Sequence, residues 1–461
     1  MTNHINFKWQ IFFSLLNLEQ YKDMEGGSYL PVNFKRDMAF FKAYSKTLTR
    51  ILPSTGNAPV QAGNVSIFQM PQASVINMRS FRLNFHAQTS GDAANGVYFP
   101  KYMASLISRI EIFINGVSIQ NIQNYNDIYH ILRDYSRDYD KYASKLCNNA
   151  HPEITKKSLT AAGAVEDRTG LPLNQDVGDY CIDEWCGFLE TCPEFFNTNL
   201  VGNMEVHITW ADNAVLSKTA GATNPTYTLT NVLAWVDTVH FKDDSYLREL
   251  DRILQTEGEM VIPYKNYRSY LGSTTTNSKT STTRISESTQ SLDKIMLTFL
   301  PTGRNTNGVL NTDINNSKYF QRSGLGLGSD TNGVYNPSIQ FEINSQDVSN
   351  PLSLVEAYQE TLKAFELDRD NMKKANPLIN SLEAYEKNFF VTALSTSHLN
   401  SPKETKNIIS GVDTQATNLN VAVKTTQSKA TDNAQAAQPM IITEMTALLR
   451  IAPGRQISTM F

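Results

Sequence analysis

Ile110-Glu111-Ile112-Phe113-Ile114-Asn115 and Ile339-Gln340-Phe341-Glu342-Ile343-Asn344 are two versions of one short segment, apolar at alternate positions and closed by Ile-Asn. Alternation with period two marks a strand with one buried face. Each version is followed by a helical pattern. Residues 126–142 place Ile128, Ile131, Leu132, Tyr135 and Tyr139 on one stripe, and residues 353–374 do the same with Leu354, Tyr358, Leu362 and Phe365. Asn115 and Asn344 stand 229 positions apart, as do Tyr129 and Tyr358, in a chain of 461 residues. An equal offset over strand and helix, close to half the chain, reads as a duplicated module.

Outward from these segments the chain is rich in strands. Apolar, β-branched and aromatic runs cover residues 65–70, 74–87, 106–119, 204–210, 227–241, 292–300, 338–343, 389–394, 419–423 and 441–451, separated by Gly, Asn, Pro and Ser clusters. In residues 204–210 one face carries Met204, Val206, Ile208 and Trp210, and the other Glu205, His207 and Thr209. Residues 242–259, with Asp243, Asp244, Arg248, Glu249, Asp251 and Arg252, read as a polar connector between the halves. Residues 163–178, 273–291, 302–336 and 424–438 read as long loops, which in a compact domain are usually functional or disordered. Antiparallel sandwiches with long loops at their ends fit a jelly roll.

Composition narrows the function. Apolar residues make up 41%, charged residues 19% and aromatics 10%, an ordinary globular balance. With 41 Lys and Arg against 45 Asp and Glu the net charge is −4, so no bulk positive field exists to neutralise phosphates. No sequence-specific nucleic-acid binding is expected. The longest apolar-rich stretch, residues 9–18, is half the roughly 20 residues needed to cross a bilayer and is interrupted by Gln10, Ser14 and Asn17. A secretory leader is not expected either, because only Lys8 charges the stretch before Trp9 and no small-residue cleavage site follows Leu18; the expected compartment is intracellular.

Catalytic and metal chemistry find little support. Cys147, Cys181, Cys186 and Cys192 cluster without the paired spacing of a zinc module and read as reduced, structural thiols. The seven histidines, His4, His86, His130, His151, His207, His240 and His398, are scattered, with no H-x-H or H-E-x-x-H pattern. Gly324, Gly326 and Gly328 lack the following Lys-Ser/Thr of a phosphate loop. The most enzyme-like patch is Asp183, Glu184, Trp185 and Glu190, since a glycosidase needs two carboxyl groups beside an aromatic platform. A solvated strand edge explains it equally simply. Neither catalytic residues, cofactor nor metal is expected.

Several motifs in order carry a resemblance. Ser80-Phe81-Arg82-Leu83-Asn84-Phe85, Ala104-Ser105-Leu106-Ile107-Ser108-Arg109-Ile110 and Ile114-Asn115-Gly116 leading into the Tyr129 helix resemble the first half of a double jelly-roll major capsid protein. Leu200-Val201-Gly202-Asn203-Met204-Glu205-Val206 and residues 227–246 resemble the strands that close the first jelly roll. Val261-Ile262-Pro263-Tyr264 and Ser288-Thr289-Gln290-Ser291-Leu292-Asp293-Lys294 resemble the opening of the second, and Ser410-Gly411-Val412-Asp413-Thr414 and Leu448-Leu449-Arg450-Ile451-Ala452-Pro453-Gly454-Arg455 its end. The nearest members are those of polinton-like viruses and virophages, within the lineage of large eukaryotic DNA viruses and tailless membrane-containing phages.

The resemblance implies an all-β chain of two tandem eight-stranded antiparallel jelly-roll sandwiches with a few inserted helices and long loops. The expected units are an N-terminal arm over residues 1–50 and jelly rolls over 51–250 and 251–461. It further implies a structural, non-enzymatic role: homotrimers, nearly hexagonal in outline, tile an icosahedral virion shell around double-stranded DNA, assembled inside the host cell beside neighbouring capsomers and minor capsid or penton proteins. Near-neutral charge suits lateral packing of copies. The arm carries Phe7, Trp9, Ile11, Phe12, Phe13, Leu15, Leu16 and Leu18, an apolar patch expected to contact the inner face of the shell, a partner protein or an inner membrane. Two rivals remain: a minor capsid, penton or spike sandwich of the same virus type, and a carbohydrate-binding or hydrolytic β-sandwich.

Overall fold

A computed structural model describes residues 44–56, 58–90, 96–136, 148, 176–218, 224–241, 245–273, 280–301, 304, 319–322, 338–343, 346–367, 379, 381–397, 411–415, 420–426 and 437–461. The apolar arm residues Phe7 to Leu18, Cys147, His4, His151, His398 and the Gly324–Gly328 run lie outside them.

Among the described residues, sixteen principal strands form two sandwiches, and short strands at Val60–Gln61 and Phe195–Asn197 extend the first. In the first half the principal strands are β1 (Tyr44–Ile51), β2 (Val65–Gln69), β3 (Val75–Ser90), β4 (Ile107–Ile114), β5 (Val117–Gln123), β6 (Val177–Ile182), β7 (Met204–Trp210) and β8 (Thr226–Phe241). One sheet has the order β1-β8-β3-β6 and the other β2-β7-β4-β5, all pairs antiparallel. The second half repeats this with β9 (Met260–Leu271), β10 (Thr280–Ser286), β11 (Leu292–Pro301), β12 (Ser338–Ile343), β13 (Gln346–Asp347), β14 (Thr392–Ser395), β15 (Asn420–Thr426) and β16 (Ala437–Ala452). Its sheets run β9-β16-β11-β14 and β10-β15-β12-β13. Every strand in the second half takes the position of the strand eight places earlier. Except at the β4-β5 and β12-β13 hairpins, each successive strand crosses to the opposite sheet, which is the jelly-roll connection. A final strand, β17 (Gln456–Met460), pairs back onto β16.

The helices fall at matching places. α1 (Tyr125–Asp134) lies between β5 and β6; α2 (Ser245–Glu257) joins the halves; α3 (Leu354–Ala364) and α4 (Leu382–Asn388) lie between β13 and β14. The duplicated segments sit on β4 and β12, and Tyr129 and Tyr358 on α1 and α3, so the offset read from sequence is a true repeat of topology. Ser353 caps α3 in a reciprocal capping box with Glu356. That helix stops at Ala364, earlier than its stripe suggests, where Glu366 takes a φ of +55°.

Four expectations need correction. Residues 106–119 are two strands, because Asn115 (φ +49°) and Gly116 (φ +78°) make the left-handed pair of a two-residue hairpin turn. Residues 44–50, assigned to the arm, are strand β1; residues 45–50 are exposed or half-buried, so β1 lacks an apolar face that a sequence pattern could reveal. The Thr-rich stretch 273–291 contains β10, since threonine is β-branched and suits a strand as well as a loop. The polar connector is largely helix α2, which places Leu250 against Val75 and Val239 on the first sandwich.

Buried side chains from both sandwiches join in one continuous cluster, and Val75, Val239 and Leu250 form a small second one. β7 has the alternation read from sequence: Met204, Val206, Ile208 and Trp210 are buried, and Glu205, His207 and Thr209 are half-buried. A one-residue slip would turn that set outward, so burial fixes the register. β16, the counterpart of β8, differs: residues 440–447 are buried without interruption. Both of its faces are covered. No atom lies within 4 Å of a Cβ built on Gly116, so Gly116→Val tests backbone conformation alone; it should destabilise the protein by about 1–2 kcal/mol, read as a lowered denaturation midpoint.

Candidate functional site at the seam between the sandwiches

The surface that makes two sandwiches into one block runs along β5 and β9. The two strands do not pair. Side chains satisfy them instead: the Tyr264 hydroxyl donates to the Ile119 carbonyl, Gln120 Nε2 to the Lys265 carbonyl and to Asn266 Oδ1 (both 3.3 Å), and Ser269 Oγ to the Gln123 carbonyl (3.0 Å) while accepting from Asn124 Nδ2 (3.0 Å). The Lys265 amide donates to Thr191 Oγ1 at 2.9 Å, and the Phe188 and Tyr264 rings meet edge-on at 5.1 Å. Gly187 (φ +83°) allows this approach, since a Cβ there would sit 2.3 Å from Gln120 Nε2. Burial pushes the Tyr267 phenol well above its ordinary range, and Glu444, Cys186 and Glu190 add to the shift.

Helix α1 carries the second part of the seam. Arg304 donates to both oxygens of the buried Asp127 carboxylate (2.9 and 2.8 Å), and its guanidinium lies 4.5 Å from the Tyr319 ring centroid. Burial alone would lower the Arg304 pKa, and Asp127 outweighs it, holding the guanidinium above its ordinary range. Arg322, also buried, donates to the Asp127 carbonyl at 3.4 Å and lies 3.6 Å from Asp134. His130 stacks on Phe320 at 4.1 Å with its Nδ1 3.4 Å from Asp134; Tyr135 stacks on Phe365 at 5.0 Å, and its hydroxyl donates to the Phe389 carbonyl. At the far end the Asn115 side chain donates to the Arg455 carbonyl (3.3 Å), and Arg455 Nε to the Asn199 carbonyl (3.2 Å), so the hairpin turn touches the β16-β17 turn.

The enzyme-like patch is not an open cleft. Trp185 is only 3% exposed, packs on Phe81 at 5.3 Å and donates its indole N–H to the Phe81 carbonyl, so its ring offers no platform for a sugar. Asp183 accepts from Asn148 (2.7 Å), and Glu190 lies 3.7 Å from Arg133. Cys181, Cys186 and Cys192 form no disulfide, and burial pushes the latter two up to about 12, leaving them inert. Among the described residues no group of three or more His, Cys, Asp or Glu could hold a metal, and no helix is long and apolar enough to cross a membrane. Sequence reading missed the seam, because Arg304, Tyr319, Phe320 and Arg322 belong to a stretch read only as an Asn- and Gly-rich loop.

No family model and no curated protein matches the sequence. Solved structures do match its fold. A chain of the PBCV-1 virus capsid is 14% identical and covers 91% of this chain and 97% of its own, with a TM-score of 0.57. The Sputnik virophage structure gives 11%, 91%, 88% and 0.54, and the Faustovirus major capsid protein 9%, 94%, 92% and 0.53. These likenesses span both sandwiches. The fold is the double jelly roll found in viral capsid proteins.

Asp127→Asn should lower stability by about 3–5 kcal/mol in chemical denaturation, since it leaves Arg304 buried beside a neutral amide. His130 gives a pH dependence. Burial lowers its pKa in the folded protein, so below about 6.5 the unfolded chain binds a proton that the folded one resists. Stability should therefore be full above that value and fall as pH drops through it. His130→Gln should flatten the difference in denaturation midpoint between pH 7.5 and 5.5.

Proposed function

We propose that this chain is the major capsid protein of an icosahedral double-stranded DNA virus, acting in the virion shell as a homotrimer whose six sandwiches approximate a hexagon. The observation that carries this reading is the pair of topologically identical jelly rolls, joined by a buried, hydrogen-bonded seam, in a fold that matches capsid chains over about 90% of both lengths. Residues 51–250, extended back to Tyr44, and 251–461 are the two units. Duplication lets a threefold particle present sixfold edges to its neighbours, and the tile's work is mechanical.

A single-sandwich minor capsid or penton role suits the chain less, because the second jelly roll would have no purpose there. The buried Trp185 weighs against the carbohydrate-binding reading. The apolar residues Phe7, Trp9, Ile11, Phe12, Phe13, Leu15, Leu16 and Leu18 would contact the inner side of the shell, against a neighbouring capsomer, a minor protein or a membrane.

The purified protein should have three times the chain mass by light scattering and a hexagonal outline in negative stain; a monomer at high concentration and neutral pH would overturn the reading. Removing residues 1–27 should leave that trimer intact and reduce particle assembly in cells. Normal particles from the truncated chain would remove the arm from the mechanism.

A further inference from the structure

The seam has two sides, and duplication supplies a second copy of each. The first side belongs to the second sandwich. β8 and β16 hold the same place in their sheets, and so do β1 and β9. In the first sandwich Leu48 of β1 lies opposite Asp237 of β8 and Arg50 opposite Trp235; in the second Pro263 of β9 lies opposite Leu448 of β16, Lys265 opposite Thr446 and Tyr267 opposite Glu444. Pro263, Tyr267, Glu444 and Thr446 are buried, and the Lys265 backbone meets the first sandwich at Thr191 and Gln120. The matching strands of the first sandwich are open there: Leu48 of β1 is 44% exposed and Leu52, one residue past it, 51%, with Leu233 and Trp235 of β8 half-buried.

The other side belongs to the first sandwich, and the offset of 229 places its copy. Ile119, whose carbonyl accepts from Tyr264, falls on Val348; Asn126 and Asp127 of α1 fall on Val355 and Glu356 of α3. Ile119, Asn126 and Asp127 are buried, whereas Val348 is 43% exposed, Val355 is 52% exposed, and Glu356 is exposed. Each chain thus carries one joined seam and two complementary unjoined faces, both with large apolar side chains in water. Such faces signal a partner. Because they are unlike each other, contact between copies is head to tail, and a head-to-tail contact closes into a ring only when its rotation allows.

We infer that the Val348–Val355 face of one copy docks on the Leu48–Leu52–Trp235 face of the next, repeating between chains the seam that each chain makes within itself. This rests on the proposed trimer and assigns its contact residues. The occupant is a second copy of this chain, argued from the equivalence of both faces to an interface already formed.

Two double variants test it, L48E with L52E and V348E with V355E. All four sites are exposed, so thermal melting of the isolated chains should stay close to that of the parent. Each variant alone should run as a monomer by light scattering. Mixed in equal amounts they should form dimers that grow no further, since joining uses the one sound face of each kind and leaves only the two mutated faces free. A control at another exposed apolar site, V65E, should stay trimeric. A trimeric parent whose two double variants are also trimeric would overturn the assignment and leave the trimer standing. A monomeric parent would overturn the trimer itself. Monomeric variants that fail to dimerise on mixing would overturn the head-to-tail arrangement.

Discussion

Asp127 sits fully buried on α1, and both its oxygens are held by one guanidinium, that of Arg304 from the other half of the chain. A buried ion pair adds little net stability relative to a well-packed apolar pair, because both charges must leave water. What it imposes is geometry. A two-pronged guanidinium satisfies a carboxylate in one plane and at one distance, so α1 and the residues around Arg304 have a single relative position. Arg322 repeats the constraint from the same stretch, and its own backbone is pinned, the amide donating to the Asn388 carbonyl and the carbonyl accepting from the Phe390 amide. Two sandwiches that could otherwise slide along an apolar contact are locked at one angle. A tile requires that.

The lock also explains why two modules of equal topology have unequal surfaces. β8 alternates buried and half-exposed residues because one of its faces meets solvent, whereas β16 is buried on both. Chain connectivity is the same in the two halves; only the neighbour differs. Covering one face converts a period-two pattern into a continuous buried run, the usual consequence of covering a sheet on both sides.

The repeated Ile-rich strands, the two helices and the β7 alternation were legible because each is a local pattern whose period is set by backbone geometry. The hairpin between β4 and β5 was legible in principle, since Asn115-Gly116 is a strong turn signal, but the apolar run across it hid the break. β1 could not be read, because an edge strand with exposed side chains has no hydrophobic period. α2 was masked by its charges, which lie on an amphipathic helix that needs only a few apolar contacts such as Leu250.

By itself the sequence determined that the chain is a duplicated, strand-rich double sandwich, because alternation, helical stripes and repeat offset all operate over a few residues or at one fixed spacing. Only the tertiary structure decided which faces meet. Asp127 and Arg304 are 177 positions apart, in a helix and in a stretch read as loop, and nothing local to either identifies its partner. Pairing of that kind arises when desolvation leaves a buried charge with one geometry in which it can be satisfied.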